Sequence, residues 1–476
     1  MNYRMITYIL GWILIFEGIF LAIPAITALI YGESALWSYL FSLGVCLLIG
    51  SLLVLKKPKK RQLYAREGSV IVALSWIVLS VFGAVPFVLT KEIPSYINAL
   101  FETVSGFTTT GASVLSDVEV LSHASLLWRS FTHWVGGMGV LVFIMAFIPL
   151  SGAQNMHLMK AESPGPSVSK LVPRVKTTAL LLYSIYFALT LIEFIMLLFG
   201  GMTVFQALNT AFATAGTGGF GFLNSSMGSF SPYIQIVITV FMILFSINFN
   251  CYFLLLTGKL REAFNIELRT FLIIVGTVIT LITINIADMY ESIGEALRHS
   301  AFTVASLIST TGFSTADFNL WPELSRTLLV IIMFIGACAG STGGGIKVSR
   351  LLILLKGMAK LQTMVHPRQV KKIKMDSHTI DHETVRSVNV YMVAYLLIFS
   401  FSLIVISFDN HDLITSFTAV AATINNIGPG LELVGPTANF GFFSAPAKIV
   451  LIFDMLAGRL ELFPVLLLFT PATWKK

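Results

Sequence analysis

The sequence predicts an all-α, polytopic membrane protein built from four similar units that follow two further transmembrane helices. The chain has 476 residues, of which 56% are hydrophobic and only 12% are charged, and its mean hydropathy is +0.84. A soluble protein carries about a quarter of its residues as charges. Several apolar runs also reach the ~20 residues that a membrane-spanning helix needs.

A short stretch that delivers a glycine occurs four times, at intervals of about a hundred residues, which indicates an internal repeat. The stretches are Phe107–Ser113, Thr214–Phe220, Ile308–Ser314 and Ile424–Gly430. We align them on Gly111, Gly218, Gly312 and Gly428. This alignment places a small or branched residue seven positions before each glycine: Val104, Ala211, Ala305 and Ala421.

The chain begins with two predicted spans, Ile6–Leu29 and Trp37–Leu55. The first lacks a small-residue cleavage site, so we interpret it as a retained helix and not as a signal peptide. Each repeat then contains a first span, a short helix, a glycine loop and a second span. The predicted boundaries are 1–66 for the two leading helices and 67–156, 157–262, 263–380 and 381–476 for repeats one to four.

The short helices are predicted at Ile97–Phe107, Val204–Ala213, Ile293–Ile308 and Leu413–Ile424. They are too short to cross a hydrocarbon core of ~30 Å, so each is interpreted as a re-entrant segment. The second span of repeat three, from Leu328 to Leu361, is interrupted by glycines and is predicted to be broken. The other three second spans, Leu126–Leu150, Tyr233–Leu256 and Ala447–Phe469, are predicted to be continuous.

The positive charges indicate orientation and not nucleic-acid binding, although the net charge is +7. Most lysines and arginines fall in clusters separated by even numbers of predicted spans, which is the positive-inside pattern and places both termini in the cytoplasm. The acidic stretches Asp117–Glu119 and Asp317–Glu323, together with Glu432, fall on the opposite side. The clusters are Arg4, Lys56–Arg66, Lys160–Lys176, Lys259–Arg269, Lys347–Arg386 and Lys475–Lys476.

The sequence gives no indication of an enzyme. It contains no metal-ligand spacing, nucleophile elbow or paired-carboxylate site that stands out. Three cysteines in apolar runs (Cys46, Cys251 and Cys338) indicate packing residues and not a disulfide framework. The polar residues His133, Glu193 and Asp288 lie in or near predicted spans, and we interpret them as structural hydrogen-bonding residues.

The glycine loops are typical of a cation filter. Backbone carbonyls can replace the hydration shell of a cation, and glycine allows the backbone conformations that such a loop requires. The short helices would end towards the centre, where their negative dipole ends favour a cation. The alternative is that small residues simply allow close helix packing. Four loops in register favour the filter.

A second unusual stretch, Gly336–Arg350, splits the second span of repeat three. Successive glycines in mid-span are expected to unwind the helix and lay a flexible loop across the cavity below the filter, as a candidate gate. The alternative is a kink for packing. Gly340–Lys347 also resembles a phosphate-binding loop, but no soluble β-strand precedes it, and that motif requires one.

Arg459 is the third unusual feature, because it lies well inside the last span. An arginine near mid-bilayer costs ~2.5–3.5 kcal/mol on insertion scales and generally faces a cavity or a partner. We expect it in the intracellular cavity near the glycine stretch. A structural pair with Asp454 or Glu461 is the alternative.

Together these motifs resemble the bacterial TrkH/KtrB/HKT superfamily of potassium transporters over nearly the whole chain, and the two leading spans resemble its TrkH branch. The resemblance implies four M1–pore-loop–M2 units around one central pore, a homodimer, and K⁺ as the transported ion. The motifs that carry it are Thr108–Ser113, Ala339–Lys347, Asn425–Gly430 and Gly458–Glu461.

The resemblance also implies roles for individual residues. The expected K⁺ selectivity filter consists of Thr109, Thr110, Gly111, Gly216, Thr217, Gly218, Thr310, Thr311, Gly312, Asn426, Ile427 and Gly428. The expected gate consists of Gly336, Gly340, Ser341, Thr342, Gly343, Gly344, Gly345, Lys347 and Arg459. The loops are unequal, so the filter should be less strict than four identical strands. A serine at the first filter glycine accompanies sodium passage in this superfamily, and Gly111 therefore favours potassium.

Members of this superfamily are governed by a cytosolic, nucleotide-binding ring of the TrkA type. This chain contains no soluble nucleotide-binding domain, so the ring would be a separate partner. The basic stretches Lys160–Lys176, Lys259–Arg269 and Lys347–Lys374 would form its docking surface, or they serve as orientation signals and contacts to lipid headgroups. The expected location is the bacterial inner membrane. An alternating-access transporter coupled to Na⁺ or protons, a symporter, is the alternative to a channel-like pore.

Overall fold

The computed structural model describes residues 1–58, 63–139, 175–358, 373–376 and 378–475. Within these ranges the chain is almost entirely helical, and a two-stranded hairpin pairs Lys374–Met375 antiparallel to His378–Thr379. The predicted all-α class is confirmed. Large parts of the basic stretches Lys160–Lys176 and Lys347–Lys374 lie outside the described residues, as does 59–62.

Two helices, Tyr3–Tyr31 and Ala35–Leu55, precede the repeats. They cross where glycines let the backbones approach: a β-carbon at Gly50 would lie 2.8 Å from the carbonyl oxygen of Gly11. Small residues serve this purpose in membrane helix pairs. The first of the two helices also packs against the first and second helices of repeat one, which joins the pair to the main body of the protein.

Each repeat contains a long first helix, a short helix, a loop and a second helix. The first helices are Ala65–Gly83 with its continuation Val85–Leu89, Val175–Phe199, Ile266–Ile286 and His382–Ile406. The short helices are Tyr96–Phe107, Val204–Gly216, Ile293–Ile308 and Leu413–Ile424. The second helices are His123–Gly137, Pro232–Ser246 with Phe249–Leu256, Glu323–Ile335 with Val348–Met358, and Ala445–Arg459 with Phe463–Phe469. Short 3₁₀ turns and the helices Leu260–Ala263 and Pro471–Trp474 complete the described elements.

Six of the described helices are long and apolar enough to cross a membrane, or seven if one bent pair counts as a single span. The six are the two leading helices and the four first helices of the repeats. The chain is therefore a multi-pass membrane protein. The short helices fall near their predicted positions. Side chains cap the starts of three of them by accepting a hydrogen bond from a backbone N–H three residues later: Thr203 from Gln206, Ser292 from Glu295, and Asp412 from Thr415.

The second helices differ most from prediction. The interruption in repeat three is confirmed, but the prediction of continuous second spans in repeats two and four is wrong. Pro232–Ser246 and Phe249–Leu256 meet at 91°, and Ala445–Arg459 is separated from Phe463–Phe469 by a turn in which Leu462 has a φ of 63°. A 15-residue helix rises only ~22 Å, so none of these pieces spans alone.

Backbone hydrogen bonding explains both breaks. In repeat two, the backbone of another repeat binds the last carbonyls of the first piece, as described below. In repeat four, Pro464 stands at the start of the last piece and has no N–H to continue a helical bond. The second helix of repeat one ends at Gly137, and the remainder of its predicted span lies outside the described residues.

Candidate functional site

The four loops that follow the short helices have the same backbone shape. In each loop a non-glycine residue near the helix end has a left-handed conformation, and a left-handed glycine follows two positions later. The non-glycine residues are Thr109 (φ 56°), Thr217 (56°), Thr310 (62°) and Asn426 (54°). The glycines are Gly111 (79°), Gly219 (77°), Gly312 (87°) and Gly428 (95°).

The predicted register of the second loop is therefore wrong by one residue: Gly219, and not Gly218, is the equivalent of Gly111. Helix-end hydrogen bonds give the same register, because the amides of Thr110, Gly218, Thr311 and Ile427 donate to Ser105, Ala213, Ser306 and Ala422 at 2.8–2.9 Å. The predicted triplet Gly216, Thr217 and Gly218 becomes Thr217, Gly218 and Gly219. Because residues 216, 218 and 219 are all glycines, the sequence alone does not fix the register of this loop. Ala211, seven positions before Gly218, supported the wrong alignment.

The loops meet in a closed cycle. A β-carbon at Gly111 would lie 1.9 Å from the carbonyl oxygen of Gly218 in the next loop. The same relation holds from each remaining loop to its neighbour: Gly219 to the Thr311 oxygen (2.0 Å), Gly312 to the Ile427 oxygen (2.3 Å) and Gly428 to the Thr110 oxygen (2.8 Å). The four glycines are thus required by close backbone approach as well as by φ. One carbonyl from each loop lies against the glycine of its neighbour around a common axis.

A cavity of about 150 Å³ lies directly beyond this cycle and is lined by all four left-handed glycines. Arg129 and Asn224 also line it. The side chain of Asn224 donates to Asp117 at 2.7 Å, and its backbone N–H donates to Glu119 at 3.0 Å, so the predicted acidic stretch lies beside this cavity.

Short polar side chains support the loops from behind. Hydroxyl pairs join Thr108 to Thr110 at 2.8 Å and Ser309 to Thr311 at 2.6 Å. The amide of Asn426 donates to the Thr110 hydroxyl at 2.9 Å, which links loop four to loop one. Among the residues that the structure describes, no group of three or more His, Cys, Asp or Glu residues could hold a metal ion.

The glycine stretch of repeat three lies directly below the loops. The helix ends at Ile335 and resumes at Val348, and Gly336, Gly340 and Gly345 between them have φ values of 68°, 71° and 77°. The Gly344 amide donates to the Thr310 hydroxyl at 2.7 Å. A β-carbon at Gly343 would lie 2.8 Å from the Ser309 carbonyl, and one at Gly344 would lie 2.4 Å from the Asn425 carbonyl.

Repeat two holds the same stretch through its broken second helix. The amides of Cys338 and Thr342 donate to the carbonyls of Ser246 (3.1 Å) and Phe245 (3.3 Å). In return, the Phe249 amide donates to the Gly340 carbonyl at 3.0 Å. The break in repeat two therefore exposes backbone groups that the glycine stretch satisfies, and the two irregular segments stabilise each other.

Arg459 connects three repeats. One guanidinium nitrogen donates to the Thr342 carbonyl at 2.7 Å, and another donates to the carbonyls of Gly136 and Gly137 at 2.6 Å. The expected position near the glycine stretch is thus observed. Of the two carboxylates considered as alternative partners, Glu461 forms an ion pair with Arg350, and Asp454 accepts a hydrogen bond from Ser402 at 2.7 Å.

Lys347 does not behave as the lysine of a phosphate-binding loop. Its side chain is buried, and its ammonium group donates to the carbonyl of Gly343 in the same stretch. A helix, Glu323–Ile335, and not a β-strand, precedes the stretch. The phosphate-loop interpretation is therefore rejected, as the sequence indicated.

Glu267, at the start of the first helix of repeat three, was not predicted as part of the site. Its side chain is buried, and one carboxylate oxygen accepts from the amides of Ala339 at 2.7 Å and Ser349 at 3.2 Å. Glu267 lies within the charged stretch Lys259–Arg269, a position that is typical of a solvent-exposed residue. Of the three polar residues interpreted as structural, His133 is buried and hydrogen-bonded to the end of the first short helix and to the second loop, Glu193 is buried, and Asp288 lies exposed at a helix end.

Comparisons with known proteins agree with this architecture. Residues 40–476 match the TrkH family, described as "Cation transport protein". The chain is 38% identical to the "Trk system potassium uptake protein TrkH" of Escherichia coli strain K12, over the full length of both, and 33% identical to the protein named TrkG of the same strain, over 99% of each. It superposes on the crystal structure titled as the potassium transporter TrkH from Vibrio parahaemolyticus with a TM-score of 0.89 and 34% identity, covering 100% of both chains. The chain belongs to the TrkH family of cation transport proteins.

Proposed function

We propose that this chain takes up potassium ions across the bacterial cytoplasmic membrane through a filter formed by its four glycine loops. The observation that carries the proposal is the closed cycle in which the carbonyls of Thr110, Gly218, Thr311 and Ile427 lie against the left-handed glycines of the neighbouring loops. Potassium is proposed because relatives that match the full chain are named potassium uptake proteins.

The chemistry of the loops fits a cation that exchanges water for backbone oxygen. Four short helices direct their C-terminal ends at the loops, and the partial negative charge of a helix C-terminus favours a cation there. No side-chain charge is required at the cycle itself. We include the residues of the corrected register in the filter: Thr109, Thr110, Gly111, Thr217, Gly218, Gly219, Thr310, Thr311, Gly312, Asn426, Ile427 and Gly428.

The stretch from Gly336 to Lys347 is proposed as the gate. It lies against the bases of loops three and four, where an ion that leaves the filter must pass. Arg459 joins it to repeats one and four and places a positive charge on the proposed ion path, so we propose that this arrangement is the closed form of the gate. Glycines at positive φ permit rearrangement without side-chain strain.

A cytosolic, nucleotide-binding partner of the TrkA type is proposed to move this gate, and the chain is proposed to work as a homodimer in the inner membrane with both termini in the cytoplasm. The names of the relatives refer to a Trk system, which supports the proposal that the chain works with other protein components. The boundaries predicted for the four repeats, at 67–156, 157–262, 263–380 and 381–476, are proposed as its structural units.

Coupled symport of K⁺ with Na⁺ or protons is the second candidate. The breaks in the second helices of repeats two and four favour it, because broken helices in several repeats are typical of alternating-access transporters. The buried carboxylic residues Glu193 and Asp454 offer sites for a coupling ion. The ring of loops favours a pore, and the two mechanisms differ in the gradients they require.

The test is uptake of ⁸⁶Rb⁺ into proteoliposomes that contain this purified chain and a K⁺ gradient, with Na⁺ and proton concentrations equal on both sides. A channel-like pore predicts uptake that persists and that K⁺ inhibits better than Na⁺. Uptake that appears only when a Na⁺ or proton gradient is restored would establish the symporter. Absence of uptake under every gradient, in the wild type and in the gate variant Arg459→Ala, with both proteins melting cooperatively, would contradict both.

A further inference from the structure

The second loop lacks the side chains that support the loops on either side of it. Positions equivalent to Thr108 and Thr110, whose hydroxyls pair at 2.8 Å, are Gly216 and Gly218. The corresponding pair in loop three, Ser309 with Thr311, is 2.6 Å apart. Two glycines cannot form this bond, so the second loop needs support from another part of the protein.

His133, in the second helix of repeat one, occupies the space where those side chains would be. It is fully buried. A β-carbon at Gly218 would lie 2.2 Å from Cγ and Nδ1 of its ring, and a β-carbon at Gly216 would lie 2.2 Å from its carbonyl oxygen. The glycines at these two positions are therefore explained by His133, whereas Gly219 is explained by the closed cycle of loops.

The histidine ring connects the end of the first short helix to the second loop. Nδ1 lies 2.7 Å from the carbonyl oxygen of Gly106, and Nε2 lies 3.2 Å from the amide nitrogen of Phe220. A carbonyl oxygen can only accept, so Nδ1 carries the hydrogen; an amide N–H can only donate, so Nε2 presents its lone pair. The neutral imidazole with hydrogen on Nδ1 satisfies both partners at once.

Arg129, one helical turn before His133, holds the next part of the same segment. Its guanidinium carbon lies 4.1 Å from the centre of the Phe220 ring, and it donates to the Gly221 carbonyl at 3.1 Å. Glu102 of the first short helix fixes this arginine by a buried ion pair at 2.8 Å. One face of a single helix thus contacts the segment that follows Gly219 at successive residues.

We propose that His133 is a positioning residue that sets the second loop of the filter and thereby determines selectivity among monovalent cations. This inference rests on the proposed function. The Phe220 amide donates a hydrogen bond to Nε2 of His133. This bond fixes the backbone immediately after Gly219 and thereby orients the Gly218 carbonyl in the cycle of loop carbonyls. Loops one and three obtain the same rigidity from their own hydroxyl pairs.

Two substitutions separate the two hydrogen bonds of the ring. In the His133→Asn variant, the side-chain amide should lie near the position of Nδ1. There it can donate to the Gly106 carbonyl, but it leaves the Phe220 N–H without an acceptor. The longer His133→Gln places its amide oxygen near Nε2, where it accepts from Phe220. The measurement is ⁸⁶Rb⁺ uptake into proteoliposomes with K⁺ or Na⁺ as competitor, together with total uptake and the melting temperature of each protein.

We expect His133→Asn to lower the preference for K⁺ over Na⁺ by about tenfold, which is the factor expected for one lost hydrogen bond of a buried group. His133→Gln should keep the preference near that of the wild type. Equal losses in both variants, or no loss in either, would overturn the inference. Because His133→Asn could fail to fold, a second protein carries an ester in place of the Phe220 amide, introduced as the hydroxy-acid analogue of phenylalanine. It removes this one donor and should reproduce the loss of preference; unchanged preference would overturn the inference.

The wild-type protein distinguishes this inference from the function on which it rests. Selective uptake by the wild type with unaltered selectivity in the variants overturns the role of His133 alone. Absence of K⁺-selective uptake in the wild type and also in the gate variant Arg459→Ala overturns the proposed function, and the inference with it.

Discussion

The carboxylate of Glu267 accepts a hydrogen bond from the amide of Ala339 at 2.7 Å, which ties the first half of the glycine stretch to the first helix of its own repeat. The same oxygen accepts from Ser349, beyond the other end of the stretch, at 3.2 Å. One buried side chain therefore fixes both ends of the proposed gate. Two residues further along the same helix, Arg269 pairs with Asp376 of the hairpin at 3.9 Å, so this helix end joins the proposed gate to the hairpin.

Glu267→Ala is expected to raise ⁸⁶Rb⁺ flux by about tenfold in proteoliposomes that contain this chain without the proposed cytosolic partner. Each buried N–H left without an acceptor costs ~1–3 kcal/mol, and an opened stretch relieves that cost by exposing the amides to water. The closed form is therefore destabilised relative to the open one.

Glu267→Gln is the matched control, because its amide oxygen can still accept from both backbone groups. It should leave the flux within about twofold of the wild type, since a neutral acceptor provides most of a hydrogen bond's net contribution. A rise in flux of the same size in both variants would show that the charge matters and that the two hydrogen bonds do not.

Arg459→Ala is also expected to raise flux without the partner, because it removes a positive charge from the proposed ion path and frees the carbonyls of Thr342, Gly136 and Gly137. Arg459→Lys should give an intermediate flux, since an ammonium group cannot reproduce the fork of the guanidinium. Arg326→Ala is the control. It removes an arginine that pairs with Glu323 and Glu432, away from the glycine stretch, and it should leave the flux unchanged. Unchanged or reduced flux in folded Arg459→Ala would leave the gate without support.

Much of the fold could be predicted because its signals are local in the sequence. Apolar length identified the two leading helices and the four first helices, and the recurring glycines identified the loops and the short helices before them. The break in repeat three was predictable from its run of glycines. The break in repeat two was not, because it depends on carbonyls of Phe245 and Ser246 that bind a segment about a hundred residues away. The break in repeat four had a local signal, Pro464, which the strong hydropathy of the surrounding run concealed.

The site was predicted less completely, because its register and supports depend on contacts between repeats. The sequence of residues 214–220 does not show whether Gly218 or Gly219 is the equivalent of Gly111. The structure distinguishes them, because Gly219 lies against the Thr311 carbonyl of the next loop and Gly218 lies against the ring of His133. Arg459 was identified because an arginine in an apolar run is costly. Glu267 was missed because a glutamate beside a basic cluster has an ordinary position in sequence, and only the fold brings it to Ala339.

Deletion of Gly343, Gly344 and Gly345 is expected to raise partner-independent flux more than either point variant. It removes the Gly344 bond to Thr310 and the close contacts with the Ser309 and Asn425 carbonyls, so the shortened stretch loses its observed contacts with the bases of loops three and four. The measurement is the same ⁸⁶Rb⁺ uptake, normalised to protein that elutes as the wild type does. Flux equal to or below the wild-type value in such protein would contradict the assignment of this stretch as the gate.

Gly111→Ser is expected to lower the preference for K⁺ over Na⁺ by about tenfold, equivalent to ~1.4 kcal/mol. Its β-carbon would lie 1.9 Å from the Gly218 carbonyl oxygen, so that carbonyl must turn away and the ring loses one of its four oxygens. Gly276→Ser is the matched control, because a β-carbon at Gly276 has no neighbour within 4 Å; it should retain wild-type selectivity. Competition of K⁺ and Na⁺ against ⁸⁶Rb⁺ measures both variants. If Gly111→Ser keeps the wild-type preference while it folds and conducts, the carbonyl cycle is not what selects the ion, and selection must occur elsewhere along the path.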